Sequence, residues 1–130
     1  MKALVLTLII SAAFRSMSLS NPAPDKGVAS WYGEDHRGRL MANGKKFNPD
    51  RFTAASWFYP LGSKVKVTLQ APHRAPRAVL VTITDRGPAH DLVRDGRIID
   101  LTHAAFRQLY APKHGLVAVT VQPVSARLSR

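Results

Sequence analysis

The apolar positions of this chain fall into short runs of two-residue period, broken by glycine and proline. The clearest run is residues 63–69, where Val65, Val67 and Leu69 alternate with Lys64, Lys66 and Thr68. That pattern predicts a strand with one face in a core and a basic face outside. Residues 117–124 alternate in the same way and predict a closing strand. Residues 78–84 are richer in β-branched side chains, which predicts a more buried strand. Residues 28–32 suit a strand ending at Gly33, followed by a charged loop, EDHRGR, and a turn at Asn43 and Gly44.

One segment has helical spacing. Leu101, Ala104, Ala105 and Leu109 recur on one face, Asp100 or Thr102 can cap the start, and Pro112 stops it. Such a helix would cover an open end of a sheet. Short strands between Gly and Pro turns, with a single helix, point to a small closed or nearly closed barrel. No repeat of solenoid period is present.

A chain of 130 residues that is 45% hydrophobic supports one domain with a real core. At the start, Lys2 is followed by the apolar run ALVLTLII and then small residues, the outline of a secretory signal peptide. That run is well short of the ~20 apolar residues of a spanning helix, and Arg15 soon after it argues against a span. The expected division is a signal peptide at 1–20, cleaved near Ser18 or Ser20, a linker at 21–26, a folded domain at 27–124 and a basic tail at 125–130. The expected location is therefore secreted or periplasmic, with no stable membrane anchor after cleavage.

Lys and Arg number 19 against 8 acids, a formal net charge of +11. Removing Lys2 and Arg15 with the signal leaves 17 basic residues against 8 acids, a formal +9. The field favours an anionic partner: nucleic acid, acidic lipid or an acidic wall polymer. Export lowers nucleic acid among these. The absence of cysteine excludes a disulfide framework, a thiolate metal site and a cysteine nucleophile.

Asp85 stands where a buried strand meets the turn Arg86, Gly87, Pro88, which places its carboxyl group at the barrel rim. Desolvation there favours the protonated acid, able to protonate a glycosidic oxygen. The same stretch also reads as a turn whose own N–H groups bind the carboxylate. Arg86 either lies against Asp85 or points out to bind substrate carboxylates. Two aromatic clusters, Trp31 with Tyr32 and Trp57 with Phe58 and Tyr59, lie at strand or loop ends. Trp57 and Phe58 are expected in the core, and Tyr32 and Tyr59 at the surface, where rings can stack on sugars. The five histidines show no ligand spacing and are expected to be mostly solvated, so neither a metal nor a cofactor is expected.

Six blocks occur in order: GVASWYG (27–33), ANG (42–44), TAA (53–55), PLGSKVKV (60–67), ITDRGP (83–88) and RIIDLT (97–102). Together they resemble the rare lipoprotein A family, secreted septal lytic transglycosylases that share a double-psi β-barrel with expansins. The resemblance spans about residues 27–124. It implies a mainly β fold, a six-stranded double-psi β-barrel with one or two short helices. It also implies endolytic, non-hydrolytic cleavage of peptide-stripped peptidoglycan glycan strands, leaving 1,6-anhydromuramyl ends. Asp85 matches the family's motif aspartate, the acid and base. Tyr32, Gly33, Lys45, Ser56, Tyr59 and Arg86 are expected along the substrate groove.

The chain departs from the family pattern at two of these positions. Lys45 stands where the family often has Glu, and Ser56 where it often has His. Lys45 can bind the muramyl lactyl carboxylate as a point charge, with Arg37 and Arg39 extending a basic groove. Glu34 or Asp35 is the candidate for a second acid. The expected partners are glycan strands, not nucleic acid, and the expected state is a monomer. The alternative is a non-catalytic, expansin-like peptidoglycan-binding or wall-loosening module.

Overall fold

The computed structural model describes residues 23–124; the expected signal peptide and the basic tail lie outside the described residues. Six strands form: β1 (Asp25–Tyr32), β2 (Thr53–Ala55), β3 (Lys64–Leu69), β4 (Ala78–Asp85), β5 (Arg97–Thr102) and β6 (Leu116–Pro123). Two short helices, α1 (His90–Arg94) and α2 (His103–Leu109), join them. The strands close into a barrel in the order β1-β5-β2-β4-β3-β6. Two of the six pairings, β1 with β5 and β2 with β4, are parallel, and the other four are antiparallel. This is the mainly β, six-stranded barrel with short helices that the resemblance implied.

The alternating runs build the core. Val65 and Val67 of β3, Val79, Val81 and Ile83 of β4, and Val117, Val119 and Val121 of β6 point inward, while Lys64 and Lys66 stay outside. Each such aliphatic side chain contributes about 1.5–3 kcal/mol by leaving water. Ile99 and Leu101 of β5 add to the same cluster, and α2 closes one end with Ala105, Phe106 and Leu109. Phe106 heads the fully buried side chains by volume.

Three expectations shift by local physics. Leu101 belongs to β5 and not to the helix, because a short apolar run such as RIIDL has no period that separates strand from helix. The cap is Thr102, whose hydroxyl accepts from the Ala105 N–H at 3.3 Å, and not Asp100; Pro112 opens a 3-10 turn after the helix has ended. At the other end, β1 takes in Asp25 and Lys26 from the expected linker. These pair with Val121 and Thr120 of β6, and Asp25 Oδ2 accepts the Tyr59 hydroxyl at 2.7 Å.

Candidate active site

β2 is only three residues long, and its register brings two acids together. Ala55 is paired with Asp85 of β4 on one side and with Asp100 of β5 on the other. Neighbouring strands lie about 4.8 Å apart, so the two acids are held roughly 10 Å apart at the backbone. Cross-strand partners point to the same face, and the methyl group of Ala55 leaves the space between them open. A cavity of about 400 Å³ lies there, walled by Tyr32, His36, Asp85, Pro88, Arg97 and Asp100 among others.

The two carboxyl groups have different surroundings. Asp85 is half-buried at the end of β4, and its Oδ1 accepts the N–H of Arg86 at 2.8 Å and of Ala42 at 2.9 Å. The Ala42 donor comes from the loop between Leu40 and Lys46, which form an isolated bridge around the turn at Asn43 and Gly44. Gly44 has φ 82°, which a residue without Cβ adopts freely. Among the described residues, the Asp100 side chain accepts one hydrogen bond, from the Ser30 hydroxyl at 3.1 Å. Burial pushes its pKa up to about 6, against the opposing pull of that hydrogen bond and of His36 and Arg97, and the Asp85 charge adds to the rise.

Tyr32 forms the apolar wall. Its ring stacks on Phe47 at 4.3 Å, and its buried hydroxyl has no protein partner among the described residues. Burial, Asp85 and Asp100 all raise its pKa. Tyr32, Trp31 and His36 also border a second cavity of about 680 Å³, which Gly33, Glu34, Asp35 and His103 help to line. The two cavities thus share Trp31, Tyr32 and His36 as a common wall.

Of the expected site residues, Asp85, Tyr32 and Arg86 meet in the cleft, and Gly33 borders the adjoining cavity. Arg86 does not reach out for substrate with Nη1, which donates to the carbonyls of Ser56 at 2.8 Å and Tyr59 at 2.6 Å. Ser56 is fully buried; its hydroxyl donates to the Ile98 carbonyl and accepts the Phe58 N–H. Tyr59 is buried as well, since its ring packs in the barrel core, whereas Trp57 and Phe58, expected inside, are 44% and 54% exposed. The mismatch has a simple origin: in a WFY run the loop path decides which ring points inward.

Lys45 lines a different groove, of about 800 Å³, together with Lys46, Arg51 and Thr84 and with no acid. Neither Arg37 nor Arg39 lines the carboxylate cleft. Arg37 is held by Glu34 at 2.6 Å and Asp50 at 2.9 Å, which also removes Glu34 as the second acid; Asp35 borders only the adjoining cavity. The acid that shares the cleft with Asp85 is Asp100. Sequence reasoning treated it as a helix cap, and the available signal was its place in the RIIDLT block. Among the histidines, expected to be mostly solvated, His36 is one that is half-buried, with Nδ1 shielded and unpartnered among the described residues.

A family model described as "Lytic transglycolase" matches residues 25–121. The chain belongs to this family. Relatives of the lytic transglycolase domain include the probable endolytic peptidoglycan transglycosylase RlpA of Synechocystis sp., 41% identical over 98 residues, covering 75% of this chain and 28% of that protein. The endolytic peptidoglycan transglycosylase RlpA of Vibrio cholerae is 36% identical over 101 residues, covering 78% of this chain and 36% of that one. The chain thus spans about a third of the length of these relatives. Among solved structures, a mutant expansin of Clavibacter michiganensis in complex with cellohexaose aligns with TM-score 0.59 at 18% identity, covering 82% of this chain and 53% of that one. A Streptomyces papain inhibitor aligns with the same TM-score at 23% identity, covering 82% and 98%. Both share the double-psi barrel fold of this lytic transglycolase domain.

Proposed function

We propose that this chain is an endolytic peptidoglycan lytic transglycosylase that cuts peptide-stripped glycan strands and leaves 1,6-anhydromuramyl ends, with Asp100 and Asp85 acting together. The observation that carries the reading is the pair of carboxyl groups set on either side of Ala55 in one cleft. Two titratable groups whose environments differ this strongly suit an acid and a base. Asp100, with its pKa near 6, keeps part of its population protonated at neutral pH.

In this mechanism the Asp100 proton passes to the glycosidic oxygen as its bond to C1 of the muramyl unit breaks. The Asp85 carboxylate faces the positive charge that develops on the ring. It then takes the proton of the C6 hydroxyl, whose oxygen closes on C1 to form the anhydro ring. The nucleophile is the sugar's own hydroxyl, so no water is activated. Amide hydrogen bonds on Asp85 Oδ1 fix the group while Oδ2 accepts no hydrogen bond from the described residues, leaving it free for the substrate. The role given to Asp85 alone from the sequence is thereby divided, with proton donation moved to Asp100.

The groove of Lys45, Lys46 and Arg51 lies outside this chemistry and supplies a local positive field that draws an anionic polymer. Because that polymer lies outside the cytoplasmic membrane, the reading places the working protein in the same compartment, secreted or periplasmic. Incubating the full chain with peptide-free glycan strands, followed by mass spectrometry, is expected to yield anhydromuramyl products. Their absence from pH 4 to 8, with an active relative in parallel, rules out the catalytic reading.

A second reading, a non-catalytic binding module, is favoured by one observation: Asp85 Oδ1 already receives two backbone amides, as in a structural turn. It predicts sedimentation with peptidoglycan that survives both Asp85→Asn and Asp100→Asn, without any anhydro product.

A further inference from the structure

The exposed indole of Trp57 stands out among the large side chains. Its Nε1–H donates to the Pro88 carbonyl at 2.7 Å, and one ring face stacks on the His90 imidazole at 4.5 Å with 26° between planes. The residue is nevertheless 44% exposed. With one face covered by His90 and the N–H edge tied to Pro88, the remaining exposure belongs to the opposite face and the outer ring edge. An aromatic ring left in water costs the stability that its burial would bring. Here the ring is also held in a fixed orientation, which removes much of the entropy a ligand would otherwise have to quench.

Pro88 is part of the wall of the carboxylate cleft, and Ala89, between Pro88 and His90, lines it too. The indole therefore sits on the outer shoulder of that wall. A linear polymer that leaves the cleft over Pro88 meets the free face of Trp57 next. The axial C–H groups of a pyranose form an apolar face that matches a flat indole, while its hydroxyl groups remain in water.

We propose that Trp57, backed by His90, is a sugar-stacking subsite that holds the glycan strand beyond the Pro88 wall of the cleft that contains Asp85 and Asp100. This rests on the reading of the cleft as a glycan site. It makes recognition depend on strand length: a strand long enough to reach Trp57 gains the stack, and a disaccharide confined to the cleft does not. Trp57 positions substrate and takes no part in proton transfer.

The test titrates the full chain with peptide-free glycan strands of two to eight sugars, reading indole fluorescence and affinity, for the parent, Trp57→Ala and Trp57→Phe. The parent is expected to bind longer strands more tightly than the disaccharide. Trp57→Ala is expected to weaken long-strand binding about tenfold, as for the loss of one good stacking contact, and to leave the disaccharide unchanged. Trp57→Phe keeps an aromatic face without the N–H, so it is expected to retain most of the affinity while losing the part of the fluorescence response that appears only with strands longer than the disaccharide. The response of Trp31 in the cleft is expected to remain.

Equal affinity of Trp57→Ala and the parent at every length overturns the subsite. So does a long-strand component of the fluorescence response that persists in Trp57→Phe, since Trp31, which lines the cleft, then accounts for all of it. If length-dependent binding through Trp57 is found but no anhydro product forms, the catalytic reading falls and the subsite stands. If product forms but Trp57→Ala is silent, the subsite alone falls; if no strand binds at all, both fall.

Discussion

The carboxylate cleft and the basic groove are neighbours with opposite chemistry. Consecutive residues of β4 feed them: Thr82, Ile83 and Thr84 line the groove, and Asp85, at the end of the strand, lines the cleft. The turn between Leu40 and Lys46 lies between the two, with the Ala42 N–H on Asp85 Oδ1 and the Asn43 N–H on the Thr84 carbonyl at 3.2 Å. The groove is broad, carries Lys45, Lys46 and Arg51, and holds no acid. The cleft is half its volume and holds two half-buried acids, one of them desolvated enough to raise its pKa. On the proposed reading, net charge marks where a polymer is attracted, and the chemistry sits where charge is costly to bury.

The largest test of that division is Asp100→Asn, which keeps the shape of the side chain and removes its proton. Product formation is expected to fall roughly 10²–10⁴-fold, as for loss of a general acid. An unchanged rate would return proton donation to Asp85.

Arg86→Ala probes the wall rather than the chemistry. It leaves two buried-side carbonyls, of Ser56 and Tyr59, without their charged donor, and a loss of about 2–3 kcal/mol in urea unfolding is expected. A stability close to the parent's would mean that Arg86 is free to serve the substrate.

pH dependence separates the two acids next. The folded pKa of Asp100, about 6, lies above its ordinary 3.8, so the folded state binds the proton more tightly. Its stabilising contribution is fully present below about pH 4 and is lost as pH rises through 6, a change on the order of 2 kcal/mol. Asp100→Asn is expected to abolish that slope when unfolding is compared at pH 4 and pH 7. Turnover by the parent is expected to decline above pH 6 as the acid ionises, and a rate that rises steadily to pH 8 would contradict the assignment.

The smallest effect belongs to the groove. Lys45→Glu is expected to weaken sedimentation with peptidoglycan at low salt and to match the parent at high salt, where exposed charges are screened, while the rate on saturating strands stays level. A drop in that rate would place Lys45 back in the cleft.

Much of the barrel was legible in the order of residues. The alternation at Val65 and Val67 and at Val117, Val119 and Val121 marks strands because a two-residue period can bury only one face. The ordered blocks that carry the family resemblance led to Asp85 and Tyr32 directly. What the chain did not disclose was which of several like residues faced which way. Trp57, Phe58 and Tyr59 are adjacent and chemically alike, so only the path of the loop put Tyr59 inside against Asp25 and left Trp57 on the rim. Lys45 follows a turn whose geometry sends it to the groove, away from Asp85.

Asp100 is the sharpest case. In the sequence it is one acid in a short apolar run, fifteen residues from Asp85. It becomes half of a pair only when the three-residue strand β2 slots between β4 and β5 and sets both acids beside Ala55. Periodicity and composition act along the chain and so determine the strands, the core and the excess positive charge. The carboxyl pair depends on register between segments far apart in sequence, and burial that raises one of the two pKa values exists only once the barrel has closed.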